Sequence, residues 1–233
     1  MKTDDVKLGQ RTYSSRSLHG QVVHEIGKRI ISGKLREGEV LPNEAELGAE
    51  FEVSRTALRE GIKVLAAKGL LASRTRTGTR VRPRAEWSML DPDVLAWRLE
   101  CGQTGEFVQD LYEFRRATEP MAASLAALRA TDEEIASMEG ALDEMEAEGE
   151  AEPATISPDV RFHQTILEAS GNELLASLGA LIETSPVFSF EMCEPDKKRE
   201  AVKIYHAVLD AIRERDSVAA SEAMFALLEL SRG

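Results

Sequence analysis

The sequence predicts a mainly α-helical protein in two domains, on three observations. Apolar residues recur three or four positions apart through most of the chain beyond residue 17, as they do in helices that bury one face. A single segment, LLASRTRTGTRVRP at 70–83, instead alternates small or apolar residues with arginines about a glycine, as a short hairpin does. The charge also divides. Residues 1–86 hold 17 Lys and Arg against 11 Asp and Glu, and residues 87–233 hold 12 against 30, within a chain of net charge -12. A basic front half and a strongly acidic back half imply two domains with different partners.

The elements follow in order. Residues 1–16 read as a polar tail. Val22, Val23, Ile26, Ile30 and Ile31 mark a first helix, stopped by Gly33. Asn43, with Glu46 three residues on, resembles a capping box and starts a second helix over about Glu44 to Glu50. Ser54 is a plausible N-cap for a third, whose buried side holds Ala57, Leu58, Ile62 and Leu65 and which ends at Gly69. The hairpin comes next, turning at Gly78 and stopped by Pro83. Three helices and a basic hairpin make a winged helix-turn-helix over residues 17–84.

Residues 85–103 carry both tryptophans, Trp87 and Trp97, with Leu90, Leu95 and Leu99. That is too apolar for a free linker and predicts a packed connector. From 104 to 233 the period is helical throughout, with helix-start signals at Thr131, Ser157 and Asp216, so an antiparallel bundle of about six helices is expected. One of the six is read over 172–192. The acidic run from Asp143 to Glu152 reads as a solvated helix end and loop.

Bulk properties narrow the function. No stretch approaches the run of about 18 apolar residues that spans a bilayer, and residues 1–16 lack the apolar core of a secretion signal, so a cytoplasmic protein without a membrane partner is expected. Cys101 and Cys193 have no CxxC spacing and read as reduced structural residues. A winged helix-turn-helix with a net positive charge implies double-stranded DNA as the partner. The N-terminal residues of a recognition helix lie in the major groove, which selects Ser54, Arg55, Thr56 and Arg59. Arg55 and Arg59 are one turn apart, and each guanidinium can pair with guanine O6 and N7. In the wing, Arg74, Arg76, Arg80 and Arg82 fall on alternate positions around Gly78, which permits a tight turn and close approach to the DNA backbone.

The segment LPNEAELGAEFEVSRTALREGIKVLAAKGLL resembles the GntR family of bacterial regulators, whose pattern runs LPSE, VSR-T, REA-L and GL. YEFRRATEPMAASLAA, DVRFHQTILEASGN and AVLDAIRERDSVAASEAM are similar to the FCD effector domain of its FadR-like subfamily, and the connector WSMLDPDVLAWRLE to regulators of sugar-acid catabolism. The resemblance implies a homodimeric transcriptional regulator, a repressor of a catabolic operon, that binds operator DNA and responds to a small carboxylate such as a sugar acid. Its DNA contacts carry over to Ser54, Arg55, Thr56, Arg59 and the wing around Arg76 and Gly78. Ala45 stands where many members have an arginine, so a contact from the second helix is missing.

The effector site implied by the FCD resemblance centres on Asp159 and His163, which at i and i+4 share one helix face. FCD domains commonly hold a divalent metal on such a pair and two later histidines. Here Tyr205 and Leu227 occupy those later positions, with His206 one residue beyond the first, so a Zn, Ni or Mn ion would have two or three ligands: Asp159, His163 and His206. The same two side chains could equally wall a pocket that contacts the effector directly, or form a satisfied core pair. Arg115, at the position of an arginine typical of the domain's first helix, suits a carboxylate; Asn172, Tyr205 and His206 complete the candidate effector contacts, with Arg161 a weaker one. Two other function classes remain open at this point. One is a metal-dependent hydrolase or lyase on Asp159, His163 and His206; the other is an architectural DNA-binding protein without a ligand.

Overall fold

A computed structural model describes residues 17–74, 78–102, 105–147, 156–183 and 195–230. The predicted tail at 1–16, Arg76, Cys193 and the part of the acidic run Asp143 to Glu152 that follows residue 147 lie outside them. The chain divides into two compact units between Gly105 and Glu106.

The first unit is built from α1 (Leu18–Ile31), α2 (Glu44–Glu50), α3 (Arg55–Ala67), β1 (Leu71–Arg74), β2 (Gly78–Val81), a 3-10 turn (Arg84–Glu86) and α4 (Pro92–Glu100). Its boundaries follow local chemistry. Ser17 caps α1 by accepting from the Gly20 amide at 3.2 Å, and Gly33, at φ 76°, takes the left-handed turn beyond the helix end that a side chain disfavours. The Asn43–Glu46 capping box is present in full: Asn43 Oδ1 accepts from the Glu46 amide and Glu46 Oε2 accepts from the Asn43 amide, both at 3.0 Å. The antiparallel hairpin pairs Leu71 with Val81 and Arg74 with Gly78. Residues 39–41 add to the other edge of β2, Leu41 N–H donating to the Thr79 carbonyl at 2.8 Å, a pairing the sequence reading did not anticipate.

Val22, Val23, Ile26 and Ile30 of α1 meet Leu47 of α2, Leu58 and Leu65 of α3, and Leu71 and Val81 of the hairpin in one core. The predicted connector joins the same core through Val94 and Trp97 of α4. Lys68, just past α3, is 4% exposed and places its ammonium 2.9 Å from Asp91 and 2.5 Å from Asp93. This buried ion pair fastens the end of α3 to the start of α4. Trp97 lies against Gly27 of α1 and donates its indole N–H to His24 Nδ1 at 3.0 Å.

A Cβ added at Gly27 would come within 2.6 Å of the Trp97 ring, which is 1% exposed and has nowhere to move. Gly27→Ala should therefore destabilise the first unit by about 1–3 kcal/mol, the usual cost of overpacking a filled core. Both tryptophans belong to this unit, so urea unfolding followed by tryptophan fluorescence measures the loss; an unchanged midpoint would show that the ring is free to shift.

The second unit contains α5 (Gly105–Arg129), α6 (Asp132–Glu146), α7 (Pro158–Ala169), α8 (Glu173–Ala176), α9 (Gly179–Glu183), α10 (Pro195–Arg213) and α11 (Ser217–Leu230). Thr131 and Glu134 form a capping box on α6, and Asp216 accepts from the Val218 and Ala219 amides at 3.0 Å. The helix expected over 172–192 is instead two short helices, α8 and α9, with 184–194 outside the described residues. Asn172 restarts the chain there, Oδ1 accepting from the Leu174 amide at 3.0 Å, and the first of the two ends at Ser177.

α6 packs on α7 and α10, and α10 on α11. The small face Ala122, Ala123, Ala126 and Ala127 of α5 is buried in one core with Met138, Leu142, Phe162, Ile166, Val208, Ile212 and Met224. Arginines seal helix ends: Arg129 donates to the Ser170 carbonyl at 2.7 Å and Arg215 to the Ala130 carbonyl at 2.8 Å. Among the described residues no helix is long and apolar enough to cross a membrane.

Candidate DNA interface and buried polar cluster

In α3 the core takes Leu58, Gly61, Ile62 and Leu65, which leaves Arg55, Thr56, Arg59, Glu60 and Lys63 on the exposed face. The close crossing of α1 over α3 depends on Gly61, where a Cβ would lie 3.0 Å from Val22. Ser54 uses its hydroxyl as the N-cap, accepting from the Ala57 amide at 3.2 Å. Arg55 and Thr56 stand in the first turn beside it. Lys63 extends the basic face by another turn and was not singled out from the sequence; its spacing of four from Arg59 and eight from Arg55 is the signal for it.

Arg59 is held by Glu44 of α2, its Nε lying 2.9 and 3.0 Å from the two carboxylate oxygens. That hydrogen bond holds the Glu44 carboxyl below its usual range and raises Arg59. Two neighbouring acceptor atoms are also what guanine O6 and N7 offer an arginine. Arg59 is 64% exposed at its side chain, so exchange from Glu44 to a base edge needs no opening of the core.

In the wing, Gly78 has φ 81°, the left-handed conformation the turn demands. The β1–β2 register sets Leu71 and Val81 on the core face and positions 72 and 80 on the opposite one. Arg80 donates to the Gly38 carbonyl and Arg82 pairs with Glu86, so both have intramolecular partners. Arg76 and the side chain of Arg74 lie outside the described residues. Between α2, α3 and the wing is an open cleft of about 710 Å³ whose rim includes Asn43, Glu44, Arg59, Ser73 and Gly78.

The second unit buries a polar cluster drawn from three helices. Arg115 and Glu119 come from α5, Asp159 and His163 from α7 and Tyr205 from α10, each 5% exposed or less. Arg115 Nε donates to Glu119 Oε1 at 2.5 Å, and Glu119 Oε2 lies 2.5 Å from His163 Nδ1. An ionised carboxylate only accepts, so the Nδ1 carries the proton. The other ring nitrogen, Nε2, faces the Tyr205 hydroxyl at 3.3 Å. Phe162 packs edge-on against Tyr205, with ring centroids 5.0 Å apart, and holds the phenol in place.

Burial opposes ionisation of Glu119, but the Arg115 guanidinium, the His163 imidazole and the hydrogen bonds from both together outweigh it and bring its carboxyl down to about 2. Burial likewise works against the charge on Arg115, and Glu119, with help from Tyr205 and Asp159, raises it. Since the folded Glu119 value lies below the ordinary 4.5, its contribution to stability is complete above about pH 4.5 and disappears as pH falls from there towards 2. The amount at stake is roughly 3 kcal/mol. Acid titration followed by circular dichroism should show this loss, and Glu119→Gln should flatten the slope over that window; equal slopes would refute the assignment.

Sequence reasoning selected four of these five residues and missed Glu119. The remaining candidates stand elsewhere: Asn172 caps α8, and His206 is exposed, 2.7 Å from Glu146. Arg161 pairs with Glu144 at 2.7 Å. The donor set does not fit a divalent metal. His163 Nε2, the nitrogen left for an ion, meets the Tyr205 hydroxyl, Leu227 is core at 2% exposure, and the Arg115 cation is part of the same cluster. Among the described residues no three His, Cys, Asp or Glu side chains converge on a metal position.

The descriptions of two families match the chain: bacterial regulatory proteins of the gntR family over residues 18–81 and the FCD domain over 110–230. The galactonate operon transcriptional repressor of Escherichia coli K12 is 35% identical over 91% of this chain and 93% of its own. The transcriptional repressor NanR of Cronobacter sakazakii is 32% identical over 93% and 85%. A solved structure described as Lar, which controls expression of the Listeria monocytogenes agr system, superposes with a TM-score of 0.58 at 17% identity over 94% of this chain and 97% of that one, a likeness of fold alone. The hydrolase or lyase alternative on Asp159, His163 and His206 is not supported: these relatives are regulators, and His206 is engaged with Glu146 on the exposed face of α10. The chain belongs to the GntR family of bacterial regulatory proteins, as a non-enzymatic DNA-binding regulator that carries an FCD domain.

Proposed function

We propose that this regulator represses a catabolic operon and releases its operator when a small carboxylate, a sugar acid, reaches the buried cluster of the FCD unit. The observation that carries the reading is the cluster itself. A permanently charged guanidinium, a carboxylate, an imidazole and a phenol, all nine-tenths buried or more, are set inside a domain of strongly acidic composition. Arg115 supplies the positive charge that a carboxylate requires, while Tyr205, His163 and Asp159 offer hydrogen-bonding groups suited to the hydroxyls of an aldonic or uronic acid. No metal is part of this reading. The name of the relative from Escherichia coli, the galactonate operon repressor, supports both the sign of control and the ligand class.

On the DNA side, Arg55 and Arg59 read base edges, Ser54, Thr56 and the α3 amides meet phosphate, and the wing around Arg74, Arg76 and Gly78 follows the backbone. The effector acts by altering the placement of two reading heads relative to half-sites about one or two DNA turns apart. Gel-shift titration on the protein's own promoter, with aldonic, uronic and dicarboxylic acids added in turn, tests this. One acid should weaken the shift and also raise the melting temperature of the free protein, with or without EDTA. Operator binding that no acid alters would refute the effector reading, and the absence of any specific shift at moderate salt would refute operator binding.

A further inference from the structure

α2 is seven residues long, and an arginine from another helix holds a carboxylate at each of its ends. Glu44 at the start pairs with Arg59 of α3 at 2.9 Å. Glu50 at the end pairs with Arg29 of α1, whose Nη1 lies 2.7 Å from Glu50 Oε1. Arg29 also donates from Nε to Glu25 Oε1, one turn back on α1, at 3.1 Å, and its guanidinium carbon stands 5.1 Å from the centre of the Phe51 ring. Burial works against its charge, and the hydrogen bonds to Glu50 and Glu25 more than restore it. Two carboxylates and an aromatic face thus engage this cation inside the first unit, where Arg55 and Arg59 present theirs outward.

What Arg29 grips is the turn between α2 and α3. Phe51 ends α2, Ser54 caps α3, and between them Glu52 has φ 53°. The left-handed residue is a glutamate, so the turn carries a strain that a glycine would not. Inside the turn, Val53 N–H donates to the Gly48 carbonyl at 3.0 Å. A strained backbone persists where its surroundings over-determine it. Arg29 supplies two of the contacts from outside, on Glu50 and Phe51, the residues that lead into Glu52. α1 packs on α3 and α4, and α2 packs on α3; the Arg29–Glu50 pair ties α1 to α2 directly.

We infer that Arg29 is a positioning residue for operator recognition: through Glu50 and Phe51 it sets the α2–α3 turn, and with it the direction in which Ser54, Arg55 and Thr56 leave that turn. The inference rests on the reading of α3 as the helix that meets base edges. A base contact requires a guanidinium within hydrogen-bond reach of guanine O6 and N7 and in line with both. Attraction to phosphate is less exacting and survives a displaced helix. Loosening this clamp therefore costs discrimination between sequences more than it costs affinity for DNA in general.

Fluorescence anisotropy of the full chain, with a duplex from its own promoter and a scrambled duplex at two salt concentrations, tests the clamp. Arg29→Met keeps an apolar stem and removes the fork. Glu50→Ala removes a negative charge instead, which by charge alone would tighten binding to any duplex. Both should lower the ratio of operator to scrambled affinity, by roughly 5- to 10-fold, as the α3 contacts fall out of line. The double variant should do no worse than Arg29→Met, since the two side chains act as one unit. The salt slope of Arg29→Met should match wild type, because no phosphate contact is lost. Partial unfolding lowers the apparent affinity for both duplexes alike and leaves their ratio, so instability does not imitate the result; if Arg29→Met fails to fold, the ratio for Glu50→Ala decides. Arg55→Ala is the reference for the reading of α3. A ratio that falls for Arg55→Ala but holds in either clamp variant overturns the clamp and leaves that reading standing, and a ratio unmoved in all three overturns both. A shallower salt slope in Arg29→Met would put Arg29 on a phosphate and overturn the proposal, as would strictly additive losses in the double variant.

Discussion

Arg115→Ala is expected to destabilise the helical unit by about 3–5 kcal/mol, because it strands a buried carboxylate rather than merely removing a contact. Glu119 is 2% exposed and ionised in the folded protein, and Arg115 is its strongest source of compensation. The loss should appear as a fall in melting temperature on the order of 10 °C. The diagnostic is the double variant. If the cost is the stranded charge, Arg115→Ala/Glu119→Ala should recover part of it, with a coupling energy of about 1–3 kcal/mol. A single-variant loss below about 1 kcal/mol, or strictly additive losses, would mean that water reaches the site and the ion pair is not desolvated. Arg115→Lys retains the charge but not the planar fork, so it should be better tolerated while losing any bidentate grip on a carboxylate ligand.

The same cluster shows how far a sequence can be read. Arg115, Asp159, His163 and Tyr205 could be placed together through the FCD resemblance, with the i, i+4 spacing of Asp159 and His163 the one part legible from the residues themselves. Glu119 could not, being one of 41 acidic residues in a chain where most lie in water. The available signal was its spacing of four from Arg115 on a helix face otherwise made of Leu111, Tyr112 and small residues. His206 failed for the converse reason: one step along a helix turns a side chain by about 100°, so a residue next to a buried tyrosine faces outward.

Local signals were most legible where the backbone itself demands a residue. The Asn43–Glu46 box and the glycines at 33, 69 and 78 set boundaries that hold because capping amides and left-handed turns accept few alternatives. At Gly69 the requirement is doubled: φ is 76°, and a Cβ would lie 2.2 Å from the Glu86 carbonyl oxygen. The broken helix between 172 and 183 was not legible, since its apolar period runs on through the stop at Ser177. The packing of α4 into the first unit was anticipated only as an apolar connector. What secures it, Lys68 against Asp91 and Asp93, joins residues 23 and 25 positions apart that no periodicity connects.

Arg55→Ala and Arg59→Ala should each weaken operator binding by about 1–3 kcal/mol, roughly 5- to 150-fold, and relax preference at the base pair each one reads. The two should differ in a way the structure makes specific. Arg59 must leave the Glu44 carboxylate before it can meet a base, so part of its contact energy is offset by the pair it breaks. Glu44→Ala removes that competitor and should raise affinity for non-operator DNA as well as operator, because a freed arginine also seeks phosphate. Specificity would then fall even as binding tightens. Arg55 resolves no carboxylate partner among the described ion pairs, so Arg55→Ala should carry the larger single loss. Fluorescence anisotropy with operator and scrambled duplexes, at two salt concentrations, separates these terms: base readers change the ratio between duplexes, and phosphate contacts change the salt slope. Equal loss on both duplexes for Arg55→Ala would reassign it from base reading to backbone contact. Unchanged non-operator affinity in Glu44→Ala would show that the Glu44–Arg59 pair sets the orientation of the arginine and does not compete with DNA.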